Sequence, residues 1–423
     1  MIKRIAIRGG GFGDEGKGKL VNLLTRKAHI CVRDQGGGNA GHTNEDEHGK
    51  IVTHQIPSGI LNPNAYNFYS AGCLLDPIRI LNEINEFRQR GYEISPRTYG
   101  ISELAHVTLE HHLIEEEITE GKSSGVGTTL RGITQTTSAK VNRLGIRFCE
   151  FLDANSFKEI LPEIIEEYAK KGINVSIGYL EKYKESIEKL APFAARDEDI
   201  AERFKDKKWV IEGAQATMLD LDYGYYPYIT TSNPSRKGIA FDFDYLLLVF
   251  KAIPSSVGYR PRISQIDEET QELLRGAKGK VDAEYGATSG RPRQLLWPDL
   301  IWMKYSINVN EPDGLAITKF DKFSLIPEVK FCTAYELDGK IIDYLPHDRI
   351  KLDRCKPVYG ITLDSFDQDI SNVRNYSNLP KNSKTIAQCF EDILGVRAAI
   401  LSVGPGKEQL IIRDRKIYNF INK

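Results

Sequence analysis

Short apolar runs that stop at polar, glycine-rich turns recur along this 423-residue chain, separated by stretches with apolar positions at helical spacing. Ile5, Ala6 and Ile7 form one run, Ile30, Cys31 and Val32 a second, Trp209–Ile211 a third and Leu315–Ile317 a fourth. Unbroken apolar runs of this length predict strands buried on both faces, as in a parallel sheet covered by helices. Asp76-Pro77 predicts a helix start; Ile80, Leu81, Ile84 and Phe87 then share a face, and Gly91 closes it. Ser156 and Glu159 predict a capping box ahead of Ile160, Ile164 and Tyr168. Val329–Tyr344 alternates as a hairpin turning at Asp338-Gly339. With no internal repeat, linker or composition break, the pattern predicts one α/β domain over residues 1–423, with a mainly parallel central sheet, flanking helices and inserted subdomains.

A formal charge of −1 gives no general electrostatic reason to bind nucleic acid or an anionic membrane. The six cysteines, Cys31, Cys73, Cys149, Cys332, Cys355 and Cys389, contain no C-x-x-C pair, which fits a reduced cytoplasmic chain. Neither a signal peptide nor an apolar run of membrane-spanning length is expected from the sequence.

The chemistry concentrates in two loops. Gly9–Asn22 reads GGGFGDEGKGKLVN and lies between a predicted strand and a helical pattern, where bare backbone N–H groups make an anion site. Gly11, Gly16 and Lys17 fit the P-loop spacing, but Gly18 stands where that motif needs Ser or Thr for magnesium. Two carboxylates, Asp14 and Glu15, sit inside this phosphate-type turn, so a cation is expected beside them: a metal ion or a protonated base. The second loop, Gln35–Thr43, reads QGGGNAGHT and sets Asn39, His42 and Thr43 among glycines after another strand. A tight turn capping a helix explains either loop alone. Together they point to a nucleotide site with acid–base chemistry.

Eight blocks, in order and over nearly the whole chain, resemble the adenylosuccinate synthetase family: GFGDEGKGKLV, QGGGNAGHT, IPSGIL, GTTLRGI, EGAQATMLDLDYGYYPYITTSN, GATSGRPR, TKFD and SVGP. The resemblance implies a ligase that condenses IMP with L-aspartate, driven by GTP through a 6-phosphoryl intermediate. Its products are adenylosuccinate, GDP and phosphate, a step of purine biosynthesis. It implies that Asp14 takes the purine N1 proton and ligates Mg2+ together with the Gly41 carbonyl. His42 would act as general acid at the 6-oxygen, Lys17 would clamp the transferred phosphoryl, and Gln215 would face the base. The triphosphate would meet Gly13, Glu15, Gly16, Lys17, Gly18, Lys19, Gly41, Thr43 and Arg293, with Lys319, Asp321, Ser402 and Gly404 around guanine. The acceptor nucleotide would meet Asn39, Thr129, Thr230, Val257 and Arg291. Arg143 would reach it across the interface of a homodimer. Thr288, Ser289 and Arg291 would hold aspartate.

Departures from the family cluster near the purine and ribose. Gly10, Gly11 and Phe12 replace a Thr-Gln-Trp lead, Asn22 an aspartate and Gly38 a histidine. Thr134–Lys140 stands where GPAYEDK is usual, and Tyr259–Ser264 where GPFPTEL is usual. Pro292 and Gln294 interrupt an arginine run. Lost bulk near the base would also suit a relative, 2-aminoadenylosuccinate synthetase, which uses (d)GMP with ATP or GTP; retained Asp14 speaks against it without excluding an intermediate form, and the uneven departures rank IMP first. A non-catalytic nucleotide-binding paralogue would have no need of Asp14, Lys17, His42, Gln215 and Arg291 together.

Overall fold

The computed structural model describes residues 2–46, 49–121, 128–176, 178–256, 260–278, 280, 283–285, 290 and 292–423. Its centre is a ten-stranded sheet. In chain order the strands are β1 (Arg4–Gly9), β2 (Ile30–Arg33), β3 (Tyr66–Tyr69), β4 (Tyr99–Ser102), β5 (Ala194–Ala195), β6 (Trp209–Glu212), β7 (Tyr245–Lys251), β8 (Gly314–Thr318), β9 (Ala398–Ser402) and β10 (Leu410–Ile412). Their spatial order is β10-β9-β8-β7-β1-β6-β2-β3-β4-β5, and every pairing is parallel except β9 with β10. All four apolar runs are strands of this sheet, and the expected mainly parallel α/β architecture is what forms.

Alternation explains why those runs are apolar throughout. Leu247 and Val249 of β7 pack with Ile5, Ile7 and helix α1 (Lys17–Thr25) on one face, while Leu248 and Phe250 join the helix Leu300–Asn310 on the other. A separate core under helices Pro77–Gln89, Ala154–Lys170 and Tyr179–Leu190 includes Ile80, Ile84, Phe87, Leu161, Ile164 and Tyr168. Among the described residues no helix is long and apolar enough to cross a membrane.

The first helix start is as read: Asp76 accepts from the N–H groups of Ile78 (3.1 Å) and Arg79 (3.0 Å), and Gly91 closes the helix at φ +87°. The hairpin also forms, between Glu328–Leu337 and Lys340–Ile342, with Asp338 and Gly339 both left-handed as a type I′ turn requires. The Ser156/Glu159 capping box does not. The helix begins at Ala154 under Asp153, whose carboxylate accepts from Asn155 N at 3.0 Å, and the Ser156 hydroxyl donates to that carboxylate. A charged acceptor suits the positive helix end better than a hydroxyl, and the earlier start brings Phe157 into the core.

The same core holds His111 and His112, their ring centroids 4.1 Å apart with the planes tilted by 51°, and His111 packs on Tyr168. Burial first, then Lys171, pulls His111 down to about 3, and burial holds His112 well below its usual value. Both rings are neutral when folded but titrate near about 6.5 when unfolded. The unfolded chain therefore binds more protons as pH falls through that value, and stability is lost from there downward. His111→Phe keeps an aromatic ring in the stack and should reduce this loss by about 1.4 kcal/mol per pH unit between about pH 5.5 and 4. Urea midpoints across that range report the difference; parallel curves for variant and wild type would remove His111 from the account.

Candidate active site

Loops leave the C-terminal ends of six neighbouring strands, β9-β8-β7-β1-β6-β2, and open sheets bind ligands at that edge. One cleft there is lined by Gly13, Asp14, Glu15, Gly16, Lys17, Gly18 and Lys19 of the loop after β1, and by Asn39, Gly41, His42 and Thr43 of the segment after β2. Thr129, Gln215, Thr230, Arg293, Lys319, Asp321, Ser402 and Gly404 line it too. Of the residues singled out from sequence, Arg143 is exposed at φ +65° and does not line this cleft. Val257, Thr288, Ser289 and Arg291 lie outside the described residues.

Side chains of this chain pair with both carboxylates of the loop after β1. Glu15 is buried and turned back into its own loop, accepting from Gly13 N and from the Lys17 ammonium, both at 2.7 Å. Lys17 also donates to the Gln215 carbonyl at 2.6 Å, which ties the loop to the end of β6. Asp14 pairs with Arg293, Nη2 to Oδ2 2.8 Å. Burial pushes the Asp14 carboxyl up, but Arg293, Lys251 and Lys17 outweigh it and hold the group below its ordinary value. Gly16 takes φ +76°, which starts α1 without side-chain strain. Gly18 makes room for a protein neighbour: a Cβ there would sit 2.9 Å from Asn44 Nδ2 and 3.1 Å from His42 Cβ.

His42 is not a free loop residue. It opens the strand His42–Asp46, which pairs antiparallel with Gly49–Thr53, and it is buried. Its Nδ1 contacts the Glu212 carboxylate, and Arg33 approaches the same carboxylate at 3.3 Å. Glu212 also accepts from Ser58 N at 2.8 Å and Ser58 Oγ at 2.6 Å. Burial works against its charge, yet Arg33 and then His42 bring Glu212 down to about 2, so it is an anion. The Nδ1 proton therefore points at Glu212, which leaves Nε2 for the cleft. Burial, then Arg33, lowers the His42 ring to about 4 against the pull of Glu212.

At the far end of the cleft, Lys19 donates to Ser402 Oγ (3.0 Å), Gly404 O (2.8 Å) and Gln409 O (3.1 Å), clasping the loop after β9 onto α1. Asp321 keeps one carboxylate oxygen, Oδ1, buried with no hydrogen-bond partner, and burial raises its pKa. Lys319 meets Glu284, which also receives Lys251 at 2.9 Å and Arg293 at 3.0 Å. Burial raises Glu284, but these three cations prevail and hold it well below the usual carboxylate range. Gln215, at φ +54°, donates from Nε2 to Asn39 Oδ1 at 3.0 Å and leaves its Oε1 buried without a partner.

Sequence reasoning missed Glu212, Arg33, Glu284 and Lys251, and also Arg260, which lines the same cleft. A charged residue ending an otherwise apolar strand, as in Trp209–Glu212 and Tyr245–Lys251, is the signal that could have found Glu212 and Lys251. Glu284 and Arg260 carry no such mark.

The family model for adenylosuccinate synthetase matches residues 6–411. The adenylosuccinate synthetase of Caldanaerobacter subterraneus subsp. tengcongensis is 36% identical, with 96% of this chain and 98% of that protein covered. The fully ligated adenylosuccinate synthetase of Plasmodium falciparum superimposes with a TM-score of 0.89 at 27% identity, covering 97% of this chain and all (100%) of that one. A succinoaminodeoxyadenylate synthetase of cyanophage S-2L, bound to dGMP and dATP, shares the fold at a TM-score of 0.61 and 15% identity, covering 99% and 98% of the two chains. Sequence similarity sustained almost end to end, together with the matching fold, makes this chain a member of the adenylosuccinate synthetase family of C–N ligases.

Proposed function

We propose that this cleft joins IMP to L-aspartate at the expense of GTP, with the residues in the following roles. Asp14 accepts the N1 proton of the 6-oxopurine, and the 6-oxygen attacks the γ-phosphorus of GTP, releasing GDP. The amine of aspartate then adds at C6 and phosphate leaves, so no covalent enzyme intermediate is needed. His42, fixed through Nδ1 by Glu212, presents Nε2 to the 6-oxygen. An incoming phosphoryl group adds negative charge beside the ring and raises its proton affinity, which lets Nε2 donate. Lys17 lies electrostatically close to both Asp14 and His42 and takes the charge on the phosphoryl oxygens.

The observation that supports this reading is the convergence of Asp14, Lys17 and His42 on one cleft from the segments that follow β1 and β2. Asp14 and Gly41 both line that cleft, and the carboxylate of the one with the carbonyl of the other would hold Mg2+ through the oxygen donors that ion prefers. When bound, the ion supplies charge neutralisation on the phosphates. For the nucleoside triphosphate, the unpartnered Oδ1 of Asp321 fits guanine, whose N1–H and 2-amino groups both donate; adenine offers no such pair. Asn39, Thr129 and Thr230 serve the IMP phosphate, with exposed Arg143 acting across a homodimer. Six cysteines, all free, fit a cytoplasmic setting.

The test is a matrix of IMP, GMP and dGMP against GTP and ATP with aspartate present, following phosphate release and nucleotide product. IMP with GTP should give adenylosuccinate fastest. A lead for dGMP would move the chain to the 2-amino branch; a lead for ATP would remove the Asp321 assignment.

A further inference from the structure

Helix α1 carries Lys19 to the loop that joins β9 to its antiparallel neighbour β10. An ammonium has three hydrogens to donate, and Lys19 directs all three at the end of β9 and the loop after it: Ser402 Oγ at 3.0 Å, Gly404 O at 2.8 Å and Gln409 O at 3.1 Å. Within the loop, Gln409 Oε1 accepts from Gly406 N at 2.7 Å and the Gln409 carbonyl from Val403 N at 3.0 Å, so the segment folds around its own glutamine. Arg26, two helical turns after Lys19, meets Glu408 of the same loop at 2.5 Å, but that pair is exposed and such pairs contribute little. Burial draws Lys19 down to about 8 against the pull of Asp321, so it stays mostly cationic at neutral pH.

The resemblance sets Lys19 among the triphosphate contacts, yet its ammonium has no hydrogen left for a phosphate. Ser402, Gly404 and Pro405 line the cleft with Asp321, and Asp321 is the charged group that acts most strongly on Lys19. A carboxylate tells guanine from adenine only while the base is held in register with it, and a shift of about 1 Å is enough to spoil that. We propose that Lys19 is a positioning residue for base selection, fixing the loop after β9 beside Asp321 and making no phosphate contact. The inference rests on the guanine reading above. Phosphates are common to GTP and ATP, so a phosphate contact serves both alike, whereas a clasp on the loop beside the base serves the nucleotide whose base edge is read.

Lys19→Met keeps the aliphatic stem and removes all three donors; Lys19→Gln, shorter and uncharged, is made beside it in case one of them fails to fold. In the nucleotide-free enzyme, amide hydrogen exchange over residues 403–409 should quicken at least about tenfold in either variant, with the buried amides of β1 unmoved. With IMP and aspartate saturating, the ratio of kcat/KM for GTP to that for ATP should fall at least about tenfold relative to wild type. An unmoved ratio, with equal losses on GTP and ATP, would put Lys19 on the phosphates, and unchanged exchange would show that it does not hold the loop; either result overturns the inference. A wild type without preference for GTP overturns the guanine reading itself, a result read on the unsubstituted enzyme alone.

Discussion

Asp14→Asn is expected to lower kcat by at least about a thousandfold, the upper part of the range for losing a general base. The substitution preserves shape and replaces the proton-accepting oxygen by an amide that cannot take a proton. Asparagine is the right replacement because residue 14 sits at φ +59°, a left-handed position that asparagine tolerates and alanine does not without strain. Folding should survive, since Arg293 keeps its bond to Glu284 when its contact with Asp14 weakens. The depressed pKa also fixes a sign: Asp14 works as an anion, so its acid limb in kcat/KM lies below the ordinary carboxylate range, and the variant loses that limb. Stopped assays of adenylosuccinate formation across pH, with melting curves alongside, measure this. Turnover within tenfold of wild type would remove Asp14 as the base.

Which parts of the site could be read from the chain follows from how far apart the interacting residues lie. The loop after β1 announces itself because its glycines, carboxylates and lysine are consecutive. The partner of Asp14 was not legible, because Arg293 is tertiary, whereas Glu15 is met by its own loop, by Gly13 N and Lys17. Likewise His42 stood out among glycines, yet the contact of its ring with Glu212 spans 170 positions. The Glu284 cluster joins Lys251, Arg293 and Lys319 from three separate segments, and no window of sequence holds it. At the level of the fold, apolar strands and the Asp76 cap were readable because burial on both faces and a local cap are short-range demands. The start of the helix at Ala154 was misplaced because two capping residues, Asp153 and Ser156, compete within one turn, and the packing of Phe157 favours the first.

Glu212→Gln should separate orientation from mere presence of the histidine. The carboxylate is fully buried and accepts from Ser58 twice, faces Arg33, and accepts a hydrogen bond from Nδ1–H of His42. A glutamine fits the space but must turn its amide N–H toward one of these donors. Arg33 then loses its buried counter-charge, which costs on the order of 3–5 kcal/mol. The variant therefore melts earlier. Turnover per folded molecule, measured well below the new melting point, is expected to fall by about 10²–10⁴, because an amide neither favours the imidazolium nor selects the tautomer that leaves Nε2 facing the purine. KM for both nucleotides should change little, since Glu212 lies behind the ring and away from the cleft lining. Nitrogen-15 shifts of His42 give the direct readout, with Nδ1 protonated in the wild type and a mixed or inverted tautomer in the variant. A purely structural carboxylate would lower the melting point while leaving kcat per folded molecule and the ring nitrogens untouched, and that outcome would falsify the positioning role.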